Sequence, residues 1–335
     1  MIKSLSISKD NSNFAYSLNN SFNVYSTNPI ARRFQKEFNL FSIDQVATSS
    51  DGTYIAFVVG NDIKGDSPNS SRPQSPQNTQ KPVKSAFASI FSSPNQPTAQ
   101  SEESKITKIY IWNNFYGECH YKIEIENQDD KERVLSIKLI GAFLLVVFEK
   151  KTWVFDINTK LWIIQAETSP NLSGAGDISI SSDDEETKLV ACCSSEPGKI
   201  DIYRCGSSQK PTKISIFAAK HSVTLMKFSP DSNLIATASE KGTLIRVFDS
   251  NNGSPLSIFR RGTLSPASVL DICFSPNNSD LIAISSNATV HLFQSDVRNA
   301  AQNDYPRSVE KVSIEKCAFA QCSFKNQNEL FVVTS

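Results

Sequence analysis

The sequence lacks any apolar run that approaches the length of about 20 residues needed to cross a bilayer as a helix. It also lacks net charge, because 34 Lys and Arg residues balance 34 Asp and Glu residues. A balanced chain has no overall field that attracts nucleic acid or an anionic membrane, so any anion binding must be local. The sequence therefore predicts at most peripheral contact with membranes and no nucleic-acid partner.

Cysteine is sparse and irregularly placed. The 7 cysteines follow no disulfide framework, and no signal peptide is visible at Met1-Ile2-Lys3-Ser4. Disulfide frameworks belong to oxidising compartments, so these two features predict a reducing, cytoplasmic setting.

Signals of catalysis are missing as well. Cys192-Cys193 and the pair Cys317 and Cys322 lack zinc-ligand spacing, and no glycine-rich phosphate loop precedes a helical pattern. The acidic run Asp183-Asp184-Glu185-Glu186 is interpreted as a solvated turn rather than an acid–base pair. We expect no enzyme activity, no cofactor and no metal site.

What the sequence does contain is a repeat of short strand patterns that end on an apolar-aromatic pair. From Trp112 onward the aromatic residue of this pair returns every 43 to 48 residues. A period of about 40–45 residues is that of β-propellers, with four strands per blade. Residues 1–335 are therefore predicted to form a single all-β domain, a seven-bladed β-propeller of the WD-repeat type. The sequence up to residue 335 supplies only the first two strands of the last blade, and two interpretations stay open: the ring is open at this blade, or the given sequence lacks its natural end. The pairs are Val24-Tyr25, Ile111-Trp112, Val154-Phe155, Ile202-Tyr203, Val247-Phe248 and Leu292-Phe293.

The first interval of the repeat, 87 residues from Tyr25 to Trp112, is longer than one period, which indicates an insertion in this part of the chain. Residues 62–104 are rich in Ser, Pro, Asn and Gln and carry few large apolar residues, so they are predicted to be a disordered insertion in blade two. The predicted blades begin near Ser4, Ile43, Val134, Ala175, His221, Ser268 and Cys317, and blade four is predicted to end at Arg204.

Two adjacent arginines end the last strand of blade five, in the segment Phe259-Arg260-Arg261-Gly262. Successive side chains leave a strand on opposite faces, so these two cations must serve two different places. Similar polar sets flank them, since Ser239 and Thr243 upstream share the Ser-x-x-x-Thr spacing of Ser285 and Thr289 downstream. Hydroxyl donors combined with a planar guanidinium are what phosphate recognition requires.

These segments resemble the PROPPIN family, which includes the WIPI proteins. The resemblance rests on Ala236 to Phe248, on Phe259 to Gly262 and on Ser285 to Phe293, with the two-arginine motif as the family's signature. It implies a seven-bladed propeller that binds phosphatidylinositol 3-phosphate and phosphatidylinositol 3,5-bisphosphate on membranes.

The resemblance also implies two phosphoinositide sites. The first site takes His221, Ser239, Thr243, Arg246 and Arg260, and the second takes Arg261, Ser285, Thr289 and His291. Two of the chain's 3 histidines fall in these sites, where they are expected to gain charge as the pH falls toward about 6.5.

A membrane-inserting loop of blade six belongs to the same resemblance. Here the loop is Gln294 to Ser308, with Val297 and Tyr305 as the insertion groups. The family further implies an autophagy lipid-transfer protein as a partner near blades two and three. We expect a monomer in solution that recruits autophagy or endosomal machinery to autophagosome-precursor, endosomal or vacuolar membranes.

An alternative without lipid stays open. A Ser or Thr before a propeller strand often satisfies a turn backbone, and a His at the entry of a repeat often belongs to an internal hydrogen-bond network. On that interpretation the protein is a WD-repeat scaffold that binds only proteins and pairs its two arginines with an acidic partner.

Overall fold

The structure is a computed structural model that describes residues 2–39, 41–62, 106–126, 133–181, 186–206, 210–262, 267–294, 306–317 and 319–334. Within these ranges the regular structure consists of 26 β-strands. Most of the predicted insertion, and the insertion groups Val297 and Tyr305, lie outside the described residues. Asp62, the first residue of the predicted insertion, is the last residue of a strand.

The strands form six antiparallel four-stranded sheets and one two-stranded sheet, and each sheet uses strands that are consecutive in the chain. The first three sheets, blades one to three, contain β1 (Ser4–Ile7), β2 (Asn13–Ser17), β3 (Ser21–Thr27), β4 (Ile30–Glu37), β5 (Phe41–Thr48), β6 (Tyr54–Asp62), β7 (Ile106–Asn113), β8 (Glu118–Glu126), β9 (Val134–Ile140), β10 (Phe143–Phe148), β11 (Lys151–Asp156) and β12 (Leu161–Glu167).

Blades four to six contain β13 (Gly176–Ile180), β14 (Lys188–Cys193), β15 (Lys199–Cys205), β16 (Thr212–Phe217), β17 (Val223–Phe228), β18 (Leu234–Ser239), β19 (Leu244–Asp249), β20 (Pro255–Arg260), β21 (Val269–Phe274), β22 (Asp280–Ser285), β23 (Thr289–Gln294) and β24 (Glu310–Ser313). The last sheet contains β25 (Ala320–Asn326) and β26 (Glu329–Thr334).

The first strands of successive sheets lie next to one another in a closed order. β1 contacts β5, each following first strand contacts the next, and β25 contacts both β21 and β1. The backbone carbonyl of Phe324 in β25 accepts a hydrogen bond from Asn11 Nδ2 at 3.3 Å, and the rings of Phe14 and Phe331 lie 5.7 Å apart. The predicted β-propeller is therefore confirmed.

The predicted number of seven blades is wrong for the described residues, which form six blades and one two-stranded sheet. Six blades have four strands, whereas the last sheet has two among the described residues. Blade four was also predicted too short, because it continues past Arg204 into the outer strand β16. This strand exposes most of its side chains, so its sequence Thr-Lys-Ile-Ser-Ile-Phe resembles a linker more than a buried strand.

The core consists of the apolar layers between neighbouring blades. Alternate residues of each strand pack on opposite neighbours: in β19, Ile245 and Val247 pack toward blade six, and Phe248 packs toward blade four. The same alternation decides on which side of blade five each polar side chain lies, and it thereby positions the candidate site.

Candidate functional site

The repeated Ser-x-x-x-Thr segments fold into the same turn in blades five and six. Gly242 N donates a hydrogen bond to Ser239 O at 2.7 Å, and Ala288 N donates to Ser285 O at 3.0 Å. Gly242 has a φ of +58° and Ala288 a φ of 56°, both in the left-handed region that favours glycine. The spacing noticed in the sequence thus marks two equivalent turns at the ends of β18 and β22.

Gly242 is required for a second reason. A Cβ atom on Gly242 would overlap the carbonyl oxygen of Ala267, in the segment that leads into blade six. Gly198 stands in the same relation to the carbonyl of Ala219, which leads into blade five. The turn between the second and third strands of a blade therefore contacts the entry of the next blade.

Arg260 and Arg261 leave blade five on opposite sides, as the sequence predicts. Phe259 is fully buried in the layer toward blade six, 5.3 Å from the ring of Phe293. Arg260 is the next residue of β20 and pairs with Leu244, so it shares the blade-four side with Arg246. On the other side, Arg261 Nε donates to Gly242 O at 2.5 Å and Nη2 donates to Ala267 O at 3.4 Å.

The backbone around the two arginines is held by hydrogen bonds to distant segments. Arg260 N donates to Pro306 O at 2.9 Å, and Arg260 forms an isolated parallel bridge with Arg307. Arg261 N donates to Thr243 O at 2.9 Å. The direction in which each guanidinium leaves the strand is therefore set by backbone pairing.

The residues predicted for the first site surround the blade-four side of blade five. Ser239 and Arg246 belong to strand positions on that side, together with Arg260. Thr243 is half-buried in the turn before β19, and His221 is exposed in the segment that enters β17. This side thus combines one exposed imidazole and two arginines.

The residues predicted for the second site are linked in a chain of hydrogen bonds. Ser285 Oγ lies 2.7 Å from Thr289 Oγ1, which lies 3.0 Å from His291 Nε2. His291 Nδ1 lies 3.2 Å from Ser308 Oγ. Ser285, Thr289 and His291 expose 0%, 8% and 4% of their surface, so these three side chains mainly hold one another and present Ser308.

His291 corrects the expectation that both histidines gain charge near pH 6.5. Burial of the ring, together with the charges of Arg261 and Lys311, lowers the pKa of His291 to about 4. Burial also lowers the pKa of Arg261. His291 is therefore neutral at pH 7, and one of its ring nitrogens donates while the other accepts.

Sequence reasoning missed three polar residues that the structure adds to this edge. Ser308 bonds His291, Arg307 bridges to Arg260, and Lys311 lies opposite His291 in the pairing of β23 with β24. Arg307 and Ser308 end the segment that the sequence assigned to a membrane loop, and Lys311 follows it, so no repeat spacing connected these residues to the arginines. The presence of cationic residues after β23 was the one feature of the sequence that could have indicated them.

A second charged cluster, which the sequence patterns did not reveal, lines the central channel. Asp177 is buried and lies 2.7 Å from Lys138 Nζ and 4.0 Å from Lys9 Nζ. Burial alone would raise the pKa of Asp177, but the nearby lysine charges outweigh it and lower the pKa to about 2. Asp177 Oδ2 also accepts a hydrogen bond from Phe228 N at 2.8 Å, so the cluster connects neighbouring blades.

Two classes of site were searched among the described residues. No group of three or more His, Cys, Asp and Glu side chains is arranged there to hold a metal ion. The described part of the chain also has no helix of the length and hydropathy that a membrane span requires.

A sequence model of the PROPPIN family matches residues 107–321. Autophagy-related protein 18 of Schizosaccharomyces pombe is 33% identical over 178 residues, which cover 48% of this chain and 47% of that protein. WD repeat domain phosphoinositide-interacting protein 2 of Mus musculus is 34% identical over 185 residues, which cover 52% of this chain and 39% of that protein. The chain thus spans half or less of the length of these curated relatives.

Two solved structures show the same fold. Hsv2 of Kluyvelomyces marxianus superimposes with a TM-score of 0.70 at 21% identity, covering 99% of this chain and 88% of that one. The complex of KlAtg21 with the coiled-coil of AgAtg16 gives a TM-score of 0.66 at 18% identity, covering 99% of this chain and 91% of that one.

Proposed function

The chain belongs to the PROPPIN family, and from this premise we propose that it is a phosphoinositide-binding propeller of autophagy. It holds phosphatidylinositol 3-phosphate or phosphatidylinositol 3,5-bisphosphate at two headgroup sites and recruits autophagy or endosomal machinery to the membrane. It makes no covalent change and is not an enzyme. The observation that carries the proposal is the divergence of Arg260 and Arg261 to opposite sides of blade five.

The first headgroup site lies on the blade-four side of blade five. Arg246 and Arg260 share this side, and both are partly open to solvent. Guanidinium groups form paired, charge-assisted hydrogen bonds to phosphate that are about twice as strong as neutral ones. His221, which is exposed, and the hydroxyls of Ser239 and Thr243 complete the proposed set.

In the second site Arg261 makes the main phosphate contact. Ser285, Thr289 and His291 are buried, so their proposed role is to hold Ser308 Oγ in place. Lys311 is exposed opposite His291 and adds a cation at the same edge. Occupation of both sites by one membrane raises the effective concentration for the second contact.

The remaining parts of the proposal are the partner, the place of action and the last sheet. Of the relatives named above, one is called an autophagy-related protein and the other a phosphoinositide-interacting protein, and KlAtg21 is seen with a coiled-coil of AgAtg16. For this chain we propose a lipid-transfer partner at blades two and three and a monomeric, cytoplasmic protein that becomes peripheral on autophagosome-precursor, endosomal or vacuolar membranes. We assign the last sheet as the inner half of a seventh blade.

Vesicle flotation tests the lipid-binding proposal. Vesicles of phosphatidylcholine with about 5% phosphatidylinositol 3-phosphate are mixed with wild type and with the double variant Arg260→Thr/Arg261→Thr. Each arginine lost removes charge-assisted bonds worth about 1.5–3 kcal/mol, so we expect the double variant to lose binding by more than a hundredfold. Each single variant should lose one headgroup site, and with it the gain in affinity that comes from binding two headgroups of one membrane.

The chain offers a matched control in Arg32 and Arg33. These two arginines are also adjacent, lie on the outer strand β4 of blade one and are exposed. The variant Arg32→Thr/Arg33→Thr removes the same charge and should float like wild type. Equal flotation of the Arg260/Arg261 double variant and wild type would favour the protein-binding scaffold, whose arginines pair with an acidic partner.

A further inference from the structure

The central channel of the ring contains a cavity that the proposed lipid sites do not use. It has a volume of about 110 Å³ and is lined by residues from the first strands of all seven sheets. A single water needs about 10–15 Å³ of cavity volume, so this cavity holds several waters or one small ion. Side chains that are far apart in the sequence therefore line one common space at the axis of the ring.

Three lysines on the wall of this cavity come from alternate blades. Lys9 follows β1 of blade one, Lys138 lies on β9 of blade three, and Lys227 lies on β17 of blade five. Lys9 Nζ donates a hydrogen bond to Phe228 O at 3.1 Å, and Lys138 Nζ donates one to Asp177 Oδ1 at 2.7 Å. An ammonium group has three N–H donors, so these bonds leave further donors for a ligand. The three cations thus approach the channel from three directions.

The charges on this wall favour an anion. Burial alone would lower the pKa of Lys227, but the charges of Asp271 and Asp177 outweigh it and raise the pKa. Burial, together with the charges of Lys227 and Lys138, lowers the pKa of Lys9 to about 8 in spite of Asp177. Lys9 and Lys227 are therefore both charged at pH 7. Among the described residues, two buried carboxylates face three ammonium groups, which leaves a positive balance.

The side-chain amide of Gln321 adds an acceptor to the same cavity. Gln321 lies on β25 in the last sheet and lines the cavity together with the lysines. Its Oε1 atom is buried and has no hydrogen-bond partner among the described residues. A buried acceptor without a donor is unfavourable, so this atom needs a donor from the group that occupies the cavity.

The cavity opens to solvent at one end of the channel. There it continues into a wider space of about 630 Å³, and the two spaces share Lys9, Asn11 and Phe274. The carboxylates of Asp10 and Asp51 line this wider space and are exposed, so solvent and salt screen their charge. A small anion can therefore enter the channel from this end.

These groups together select an oxyanion that also carries a proton. Cations from three directions suit a tetrahedral anion, because its oxygens point in all directions, whereas the two oxygens of a carboxylate lie in one plane. The amide oxygen of Gln321 requires a hydroxyl donor. Monohydrogen phosphate has three acceptor oxygens for the lysines and one hydroxyl for the amide. Sulfate at neutral pH and chloride both lack the hydroxyl.

We propose that the central channel is an anion-binding site that holds inorganic phosphate between Lys9, Lys138, Lys227 and Gln321. The proposal does not depend on lipid binding, because the headgroup sites belong to the outer strand and the turns of blades five and six. The four residues come from four different sheets and meet only in the folded ring. A ligand that binds only the folded state stabilises it, so phosphate should stabilise the ring.

Isothermal titration calorimetry with inorganic phosphate tests the proposal. The full chain with Arg260→Thr/Arg261→Thr is the parent protein, so that phosphate at the proposed headgroup sites does not contribute. We expect saturable binding of one phosphate per chain at pH 7. Sulfate should bind at least about tenfold more weakly than phosphate, because it offers Gln321 Oε1 no donor.

Two variants of this parent locate the phosphate. Lys9→Met removes one ammonium group, and the fold should persist because burial already disfavours the charge of Lys9. Gln321→Glu places a carboxylate of the chain in the cavity, where it competes with the anion. Each change should weaken phosphate binding at least about tenfold, since a charge-assisted hydrogen bond is lost or a like charge is added. Lys150→Met removes an exposed lysine between β10 and β11 and should bind like the parent.

Urea denaturation gives a second readout. Phosphate stabilises many proteins by its exclusion from their surface, and this effect should be the same in the parent and in Gln321→Glu. Specific binding should raise the denaturation midpoint of the parent beyond that of the variant, and the difference should saturate with phosphate concentration.

Three results would overturn the proposal. The first is the absence of saturable binding to the parent; if wild type still binds phosphate, that phosphate belongs to the headgroup sites. The second is equal affinity of the parent and Gln321→Glu when circular dichroism shows both to be folded. The third is equal loss of binding in Lys9→Met and Lys150→Met.

Discussion

His291 is a neutral residue placed among cations. Its ring is buried, it bonds Thr289 and Ser308, and Arg261 and Lys311 both disfavour its protonated form. The imidazole therefore serves as a fixed polar connector at this edge of blade six, and its protonation opposes folding.

The pH dependence of stability follows from this placement. In the unfolded chain a histidine binds its proton below about pH 6.5, whereas folded His291 has a pKa of about 4. The contribution of neutral His291 is fully present above pH 6.5 and is lost as the pH falls toward 4. Between pH 7 and pH 4 we expect wild type to lose about 3 kcal/mol more unfolding free energy than His291→Gln, measured by urea denaturation. Parallel pH profiles of the two proteins would contradict this account.

For single residues, the sequence predicted the side of the strand on which a side chain lies but not how deeply the side chain is buried. Strand alternation alone implied that Arg260 and Arg261 diverge, and the structure confirms it. The burial of Ser285 and Thr289 was not predictable, because the spacing of hydroxyl residues is the same for an open site and for a closed hydrogen-bond chain. The approach of Arg307 to Arg260 depends on a return of the chain that no repeat encodes.

Turns between the second and third strands connect the blades. Gly242 and Ala288 occupy equivalent left-handed positions, and Gly242 also lies against the backbone carbonyl of Ala267, which leads into the next blade. In blade five this turn therefore requires a residue without a Cβ atom. In blade six the same turn holds an alanine in a strained backbone conformation.

Opposite substitutions at these two positions should have opposite effects. Gly242→Ala adds left-handed strain and a collision with backbone, and we expect it to lower the unfolding free energy by about 3 kcal/mol. Ala288→Gly removes strain but gives the unfolded chain more freedom, so a gain of about 0.5–1 kcal/mol is expected. Urea unfolding monitored by tryptophan fluorescence measures both, and a stabilised Gly242→Ala variant would refute the collision.

Element boundaries were predictable where both sides of a strand are buried. The break between β9 and β10 lies at Gly141, which has a φ of +51°, and a glycine between two apolar runs is a turn signal in a sequence. The boundaries of outer strands were harder to predict, because one backbone edge of such a strand faces solvent and its side chains are both polar and apolar. The strand β16 was missed for this reason, and the outer strand of blade six, Glu-Lys-Val-Ser, is entirely exposed.

At the scale of the whole ring, buried charges hold neighbouring blades together. Asp177 bonds Lys138 of blade three and accepts the backbone N–H of Phe228 in blade five. Asp271 of blade six accepts the backbone N–H of Cys322 in the last sheet in the same way, at 2.8 Å. The period of the repeat predicted the ring. The charge pairs across the channel could not be predicted from the sequence, because they depend on the positions of the inner strands.

Asp177→Asn removes the central charge of this cluster. It leaves the half-buried Lys138 and Lys9, whose side chains are 27% and 18% exposed, without the buried carboxylate that both approach, and breaking one side of a buried pair costs about 3–5 kcal/mol. We expect a fall of about 3 kcal/mol or more in unfolding free energy by urea denaturation. As a control, Glu124→Gln breaks the exposed pair with Lys122 and should change stability by less than about 0.5 kcal/mol.

Every sheet in the described part of the protein is built from strands that directly follow one another in the chain. A ribosome that adds about 5–20 residues per second releases a blade's worth of chain, about 45 residues, in roughly 2 to 9 s. Apart from blade two, which runs from residue 41 to residue 126, all main-chain pairing partners of a blade emerge within that interval. Assembly of this protein can thus proceed blade by blade during translation, with the meeting of β25 and β1 as its final event.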